Sequence, residues 1–223
     1  MNDEEIDDFI SADAQDVFKQ ENLILDPLLN ELDHIVDTGI QLFVRSVLLS
    51  TPFFWVAPVM PDSDTVVYDW PKDVYSAGGE VLNTKRAFRA SILLADSFQL
   101  ELEDRDILFA AVLLHSVAKY ESNAGEMEYN DFYPVTFTAL IEELRSKQQV
   151  IASDGMSNTL SVPDDTVRTI CRLVRCQNGP WSIIPEIIPM NTLEICTHLS
   201  VYMAMAVDYI IDGEDVIEER WDF

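Results

Sequence analysis

The side chains with the most chemical potential sit in one apolar run, "AAVLLHSVAKY", residues 110–120, which sets His115 beside Ser116 and places Lys119 three residues on. An imidazole next to a hydroxyl suggests a nucleophile and its base. The spacing argues against that chemistry. The run reads as the second half of a helix, and neighbouring helical positions point about 100° apart, so His115 is badly placed to take a proton from Ser116. A hydrogen-bonded core histidine is the expected state of His115. His198 reads as structural and His34 as a helix-surface residue. Cys171, Cys176 and Cys196 are odd in number and form no C-x-x-C pair. They are expected to be free, buried thiols of a reducing compartment.

The elements that must hold these residues are helical. Seven glycines are few for 223 residues, which argues against a loop-rich β design. Residues 1–22 are acidic and weakly amphipathic, a short helix or a loosely held arm. Apolar spacing predicts one or two helices over 24–50. Pro52, Pro58, Pro61 and Pro71 forbid a continuous helix over 51–79, and Gly78-Gly79 ends that loop. Helices are then expected over Glu80–Phe98, with Leu82, Phe88, Ile92, Leu93 and Ala95 inward and Lys85, Arg86 and Arg89 to one side. Two more follow over Glu103–Lys119 and Pro134–Val150. Ser161-Val-Pro-Asp164 resembles a capping box for a fourth, whose stripe is Val167, Ile170, Cys171 and Val174. After a Pro/Gly loop over 179–189, Asn191 is expected to cap a last helix to Ile211, with Ile195, Leu199, Tyr202 and Ala206 inward. The class is all-α: a helical extension (1–50), a helical domain (51–211) and an acidic tail (212–223) with Trp221 as an anchor.

The charge is extreme, 40 acidic residues against 14 basic, net −26. Such a surface repels nucleic acid and anionic membranes, because phosphate binding needs Lys and Arg to displace counterions. Three readings fit it: a solvated surface adapted to a salty cytoplasm (halophilic), a face that docks on a basic protein partner, or mimicry of DNA. The even spread of acids along the chain favours the first. The opening MNDEEIDD is acidic where a signal peptide is basic. The most apolar stretch, Ser46–Pro61, is short and broken by proline. The expected setting is the cytoplasm of a host cell or a virion made there; the chain is not expected to be secreted or to enter a membrane.

Five landmarks in order, from about residue 52 to 210, resemble the HD-domain superfamily of metal-dependent phosphohydrolases, in the form found in phages and archaeal viruses. They are Gly78-Gly79-Glu-Val-Leu-Asn83-Thr84, the segment DRDILFAAVLLHSVAKY, Tyr133-Pro134, Gln177-Asn-Gly179-Pro-Trp181 and His198-Leu-Ser-Val201-Tyr202. The resemblance implies an HD-like helical bundle with an N-terminal helical extension. It also implies a cage of His and Asp around one or two divalent cations that activate a water. Carried across residue by residue, that cage falls on Asn83 in place of His, His115 retained, Ser116 in place of Asp, Tyr133 and Gln177 in place of His, and Val201 in place of Asp.

Five of the six are replaced by neutral side chains that ligate metal poorly, and one imidazole cannot hold Mn²⁺, Fe²⁺ or Mg²⁺ against water. The expectation is an HD-like pseudoenzyme with no catalytic residue, no metal and no cofactor. It would act as a binding, interaction or assembly protein, with a protein as its partner. Two alternatives stay open: a phosphohydrolase with its site rebuilt from carboxylates such as Asp73, Glu80, Glu121, Glu126, Glu128, Asp131 or Asp208, and a structural component of a virus particle. Arg86, Arg89, Lys119 and Trp181 are candidates for a retained pocket. The two arginines are either the remnant of a phosphate-binding wall or partners of local acids. Trp181, like Phe53, Phe54 and Trp55, reads as packing ahead of ligand stacking.

Overall fold

A computed structural model describes residues 23–59, 72–123, 126–130, 133–153, 162–181 and 188–205. The expected arm over 1–22 and the anchor Trp221 lie outside these residues. The fold is all-α. After a 3-10 turn at Asp26–Leu28 come α1 (Leu29–Leu32) and α2 (Thr38–Leu49). Then α3 (Gly79–Ser97), α4 (Leu102–Leu113), α5 (Tyr133–Ser153), α6 (Asp164–Arg175) and α7 (Thr192–Met205) complete the bundle. A two-stranded antiparallel hairpin, β1 (Tyr120–Asn123) and β2 (Glu126–Tyr129), joins α4 to α5 and pairs Tyr120 with Tyr129. The hairpin is not foreseen by the apolar periodicity, because its strands are short and mostly polar.

The centre of the bundle is α4. Every residue from Asp106 to Leu113 is buried, and the helix packs against α2, α3, α6 and α7. An apolar helix with no polar face has to be surrounded. The most extensive helix packing is that of α3 against α7, and α6 closes over α4, α5 and α7. One continuous core runs from Leu25 to Ala204. The acids at the start of α4 do more than suit its dipole. Asp106 is buried and accepts from the backbone N–H of Val36 (3.0 Å) and Asp37 (2.7 Å), which ties the segment before α2 to the central helix. Asp37 in turn caps α2 by accepting from the Ile40 N–H at 2.9 Å.

Several boundaries move from where the periodicity puts them. The second helix, expected to reach Lys119, stops at Leu113, and residues 114–119 form successive turns. The fourth begins at Asp164 with Pro163 as its N-cap, a residue with no side chain to accept a bond. The Asn191 cap is present: its Oδ1 accepts from the Glu194 N–H at 3.0 Å. The inward stripe of the last helix is displaced by about one residue. Ile195 and Tyr202 are about two-fifths exposed, while Cys196, Thr197, Ser200, Val201 and Ala204 are buried. Leu93 of α3 likewise faces outward. Arg86, expected on a polar side, is buried and donates from Nε to the Ala204 carbonyl at 2.9 Å.

Gly78 and Gly79 open α3 for two different reasons. Gly78 sits at φ +80°, which favours glycine. At Gly79 a Cβ would lie 1.7 Å from the Val74 carbonyl oxygen, so the chain before α3 can close only on a bare Cα.

Candidate functional site

The turns after α4 gather most of the candidate residues. His115 helps to end the helix. Its Nδ1 lies 2.7 Å from the Val112 carbonyl, the oxygen that Ser116 N–H would take in a continuing helix. A carbonyl can only accept, so Nδ1 carries the proton. In the neutral ring Nε2 is then an acceptor, and Asn83 Nδ2 of α3 faces it at 3.5 Å, the long limit of a hydrogen bond.

From the other side Gln177, in the turn after α6, donates its amide Nε2 to the His115 carbonyl at 2.8 Å. The Gln177 backbone carbonyl accepts from His198 Nδ1 of α7 at 2.7 Å. Two residues on is Gly179, at φ +58°, against the His198 ring; a Cβ there would come within 2.3 Å of the imidazole. Asn83, His115, Gln177 and His198 therefore form one line of contacts through α3, the turns after α4, the turn after α6, and α7.

Lys119 belongs to a second buried group. Its Nζ is 3.0 Å from Glu80 Oε1, with both side chains almost wholly enclosed, and 5.4 Å from the centre of the Tyr133 ring. Glu80 and Asn83 are one turn apart on α3, so a single face of that helix serves both groups. The Tyr120 hydroxyl donates to the Pro58 carbonyl and fixes the start of the hairpin beside them.

The remaining candidates are placed as follows. Ser116 is buried beside His115 in the chain. Val201 is buried on α7 and brings no donor or acceptor in its side chain. Arg89 is half-buried on α3. Trp181 ends the 3-10 turn Gly179–Trp181, and its side chain lies outside the described residues, as do those of Asp73, Glu121 and Glu126 and all of Asp131 and Asp208.

No protein-family model matches this chain, and neither a curated protein nor a solved structure is similar to it.

Chemically the arrangement is closed. Ser116 Oγ finds no protein partner among the described residues, so no base activates it. Both imidazoles of the group are committed: His115 uses Nδ1 on the Val112 carbonyl and turns Nε2 to an amide, and His198 uses Nδ1 on the Gln177 carbonyl. Among the described residues no three His, Cys, Asp or Glu side chains gather as metal ligands. Two committed imidazoles, neutral amides and a nearby ammonium do not fit a divalent cation.

Three further atoms matter: Asn83 Oδ1, Ser116 Oγ and Gln177 Oε1 are buried and find no hydrogen-bond partner among the described residues. An unpaired buried polar atom costs about 1–3 kcal/mol. Burial disfavours the thiolates: it pushes Cys171 up to about 11, Cys176 up to about 12, and Cys196 upward as well.

Two important side chains carry weak sequence signals. Lys119 follows an almost unbroken apolar run, which asks for a buried acid as its partner; the sequence does not say that Glu80 supplies it. Asp106 reads as an ordinary first-turn acid, because its backbone partners are 70 and 69 residues away.

Proposed function

We infer that the chain is a non-catalytic binding protein on an HD-domain-like helical bundle, of the viral form its landmarks resemble, and that its former metal centre now serves structure. It acts through a protein partner or as part of an assembly. The observation that carries this reading is the state of His115. The one retained family ligand spends its Nδ1 on the Val112 carbonyl and faces Asn83 with Nε2.

The neighbouring cation supports the same reading. The Lys119 ammonium, held by Glu80, puts fixed positive charge beside the place where the resemblance would put a metal. A binding role also has somewhere to act. A cleft of about 740 Å³ is lined by Ile24, Pro27, Leu49, Pro52, Trp55, Ser76, Ala77, Gly78, Val81 and Leu82, none of them titratable. That lining suits apolar contact rather than acid–base chemistry.

The test is metal content of the full chain, purified without chelator and then incubated with Mn²⁺, Fe²⁺, Ni²⁺ and Mg²⁺, alongside hydrolysis of a panel of phosphate esters. The expected result is no stoichiometric metal after desalting and no hydrolysis above buffer. Tightly held metal with turnover would replace this reading with a phosphohydrolase whose site has been rebuilt from other carboxylates.

A further inference from the structure

The apolar cleft of about 740 Å³ continues beyond its own walls. Leu23, Ile24, Val56 and Tyr75 are exposed, and each is a lining residue or the chain neighbour of one. Large apolar side chains left exposed beside a concave apolar wall mark a place where another molecule docks.

The lining defines the guest. No lining residue carries a charge, so none holds a phosphate or a carboxylate. Its polar side-chain atoms are two, Trp55 Nε1 and the Ser76 hydroxyl, and Nε1 donates to the Leu48 carbonyl at 3.0 Å. The Gly78 N–H is likewise engaged, on the Val56 carbonyl at 3.3 Å. Sites for free small molecules use a few convergent polar groups to fix orientation. This wall gives apolar contact and little direction, so its guest has to be oriented from outside the cleft. A bulky side chain carried on a partner's backbone meets that need. The outside is acidic. The chain carries net −26, and Asp26, which precedes Pro27 of the lining, is exposed. Such a field attracts Lys and Arg beside the anchor and repels acidic segments.

We propose that the cleft receives a bulky apolar side chain from a segment of a partner protein, flanked there by Lys or Arg. This rests on the binding reading above and not on the HD-like resemblance; metal retention with turnover would sink that reading, whereas peptides test the cleft alone. The experiment pans a random-peptide phage library on the unmodified full chain at about 0.15 M salt, then titrates the recovered peptides into the isotope-labelled chain. The expected peptides share a large apolar or aromatic residue beside Lys or Arg, and they shift the Trp55 indole N–H signal saturably. Binding should weaken about tenfold or more in a folded Ala77→Trp variant, which fills the cleft without changing charge. Asp26→Asn should weaken it about two- to fivefold. Recovery of no peptide, or of uncharged or acidic ones, overturns the proposal. So does basic-peptide binding that leaves the Trp55 signal in place, which would be general attraction to an acidic surface; this readout needs no variant. A dimer in sedimentation that Ala77→Trp abolishes would give the cleft to a second copy and overturn it as well.

Discussion

The clamp between α6 and α7 and the interior around His115 both bridge helices with polar side chains, but they are completed to different degrees. In the clamp Arg172 donates from Nε to Glu194 Oε1 at 2.9 Å and from Nη2 to Oε2 at 3.4 Å, and the Met190 N–H donates to the same Oε2 at 2.7 Å. Both carboxylate oxygens are used, and the arginine is partly in water. Around His115 the bridging groups are amides, a hydroxyl and imidazoles, all buried, and three polar atoms find no hydrogen-bond partner among the described residues. The difference teaches that a charged bridge at the edge of the bundle can satisfy its acceptors, whereas a neutral, enclosed one leaves polar atoms whose burial costs stability.

The largest break in the comparison should come from Lys119→Met. It leaves the Glu80 carboxylate enclosed without its cation, and loss of one partner of a buried pair costs about 3–5 kcal/mol. Denaturant unfolding should show that loss, and Glu80→Gln/Lys119→Met should recover most of it. A loss within 1 kcal/mol for the single variant, as is common for exposed pairs, would mean that the pair behaves as a surface pair.

Gly179→Ala comes next. The new Cβ would meet the His198 ring and also sit at positive φ, for roughly 2–4 kcal/mol together. The backbone bond from His198 to Gln177 should be disturbed with it, read as a shift of the His198 ring signals.

The clamp should give the smallest effect and the only clear pH signature of the two. Burial pushes Glu194 up, but the bond from Arg172 and the Met190 N–H outweigh it and hold the carboxyl below its usual range. A lowered carboxylate contributes stability that is fully present above its unfolded value of about 4.3 and is lost as pH falls through the folded value. Unfolding followed downward from about pH 4 should therefore reveal a component that disappears in Glu194→Gln.

The sequence made the helices legible because their apolar spacing is a local signal. The stripe Val167, Ile170, Cys171 and Val174 is buried as the spacing predicts. The contacts among Asn83, His115 and Gln177 span up to 62 residues and leave no local pattern in the sequence. The stop of α4 at Leu113 was not legible. No glycine or proline marks it, and one cause is a side chain just past the helix, His115, turning back onto Val112. On α7 the misplaced stripe has a similar origin. Small and polar residues, Thr197, Ser200 and Ala204, are the buried ones on a helix that packs against α3, so hydrophobicity points to the wrong side. Long-range bonds such as Asp106 to Val36 and Asp37 leave no local trace.

The central claim is that His115 is tied into the protein and is not a ligand. Long-range ¹H–¹⁵N spectroscopy of the histidine rings, before and after stoichiometric Zn²⁺, reads that claim directly. The account predicts that His115 is a neutral ring protonated on Nδ1, with both nitrogen shifts unchanged by the metal. A proton on Nε2, or a His115 nitrogen that moves with one equivalent of Zn²⁺, would contradict it.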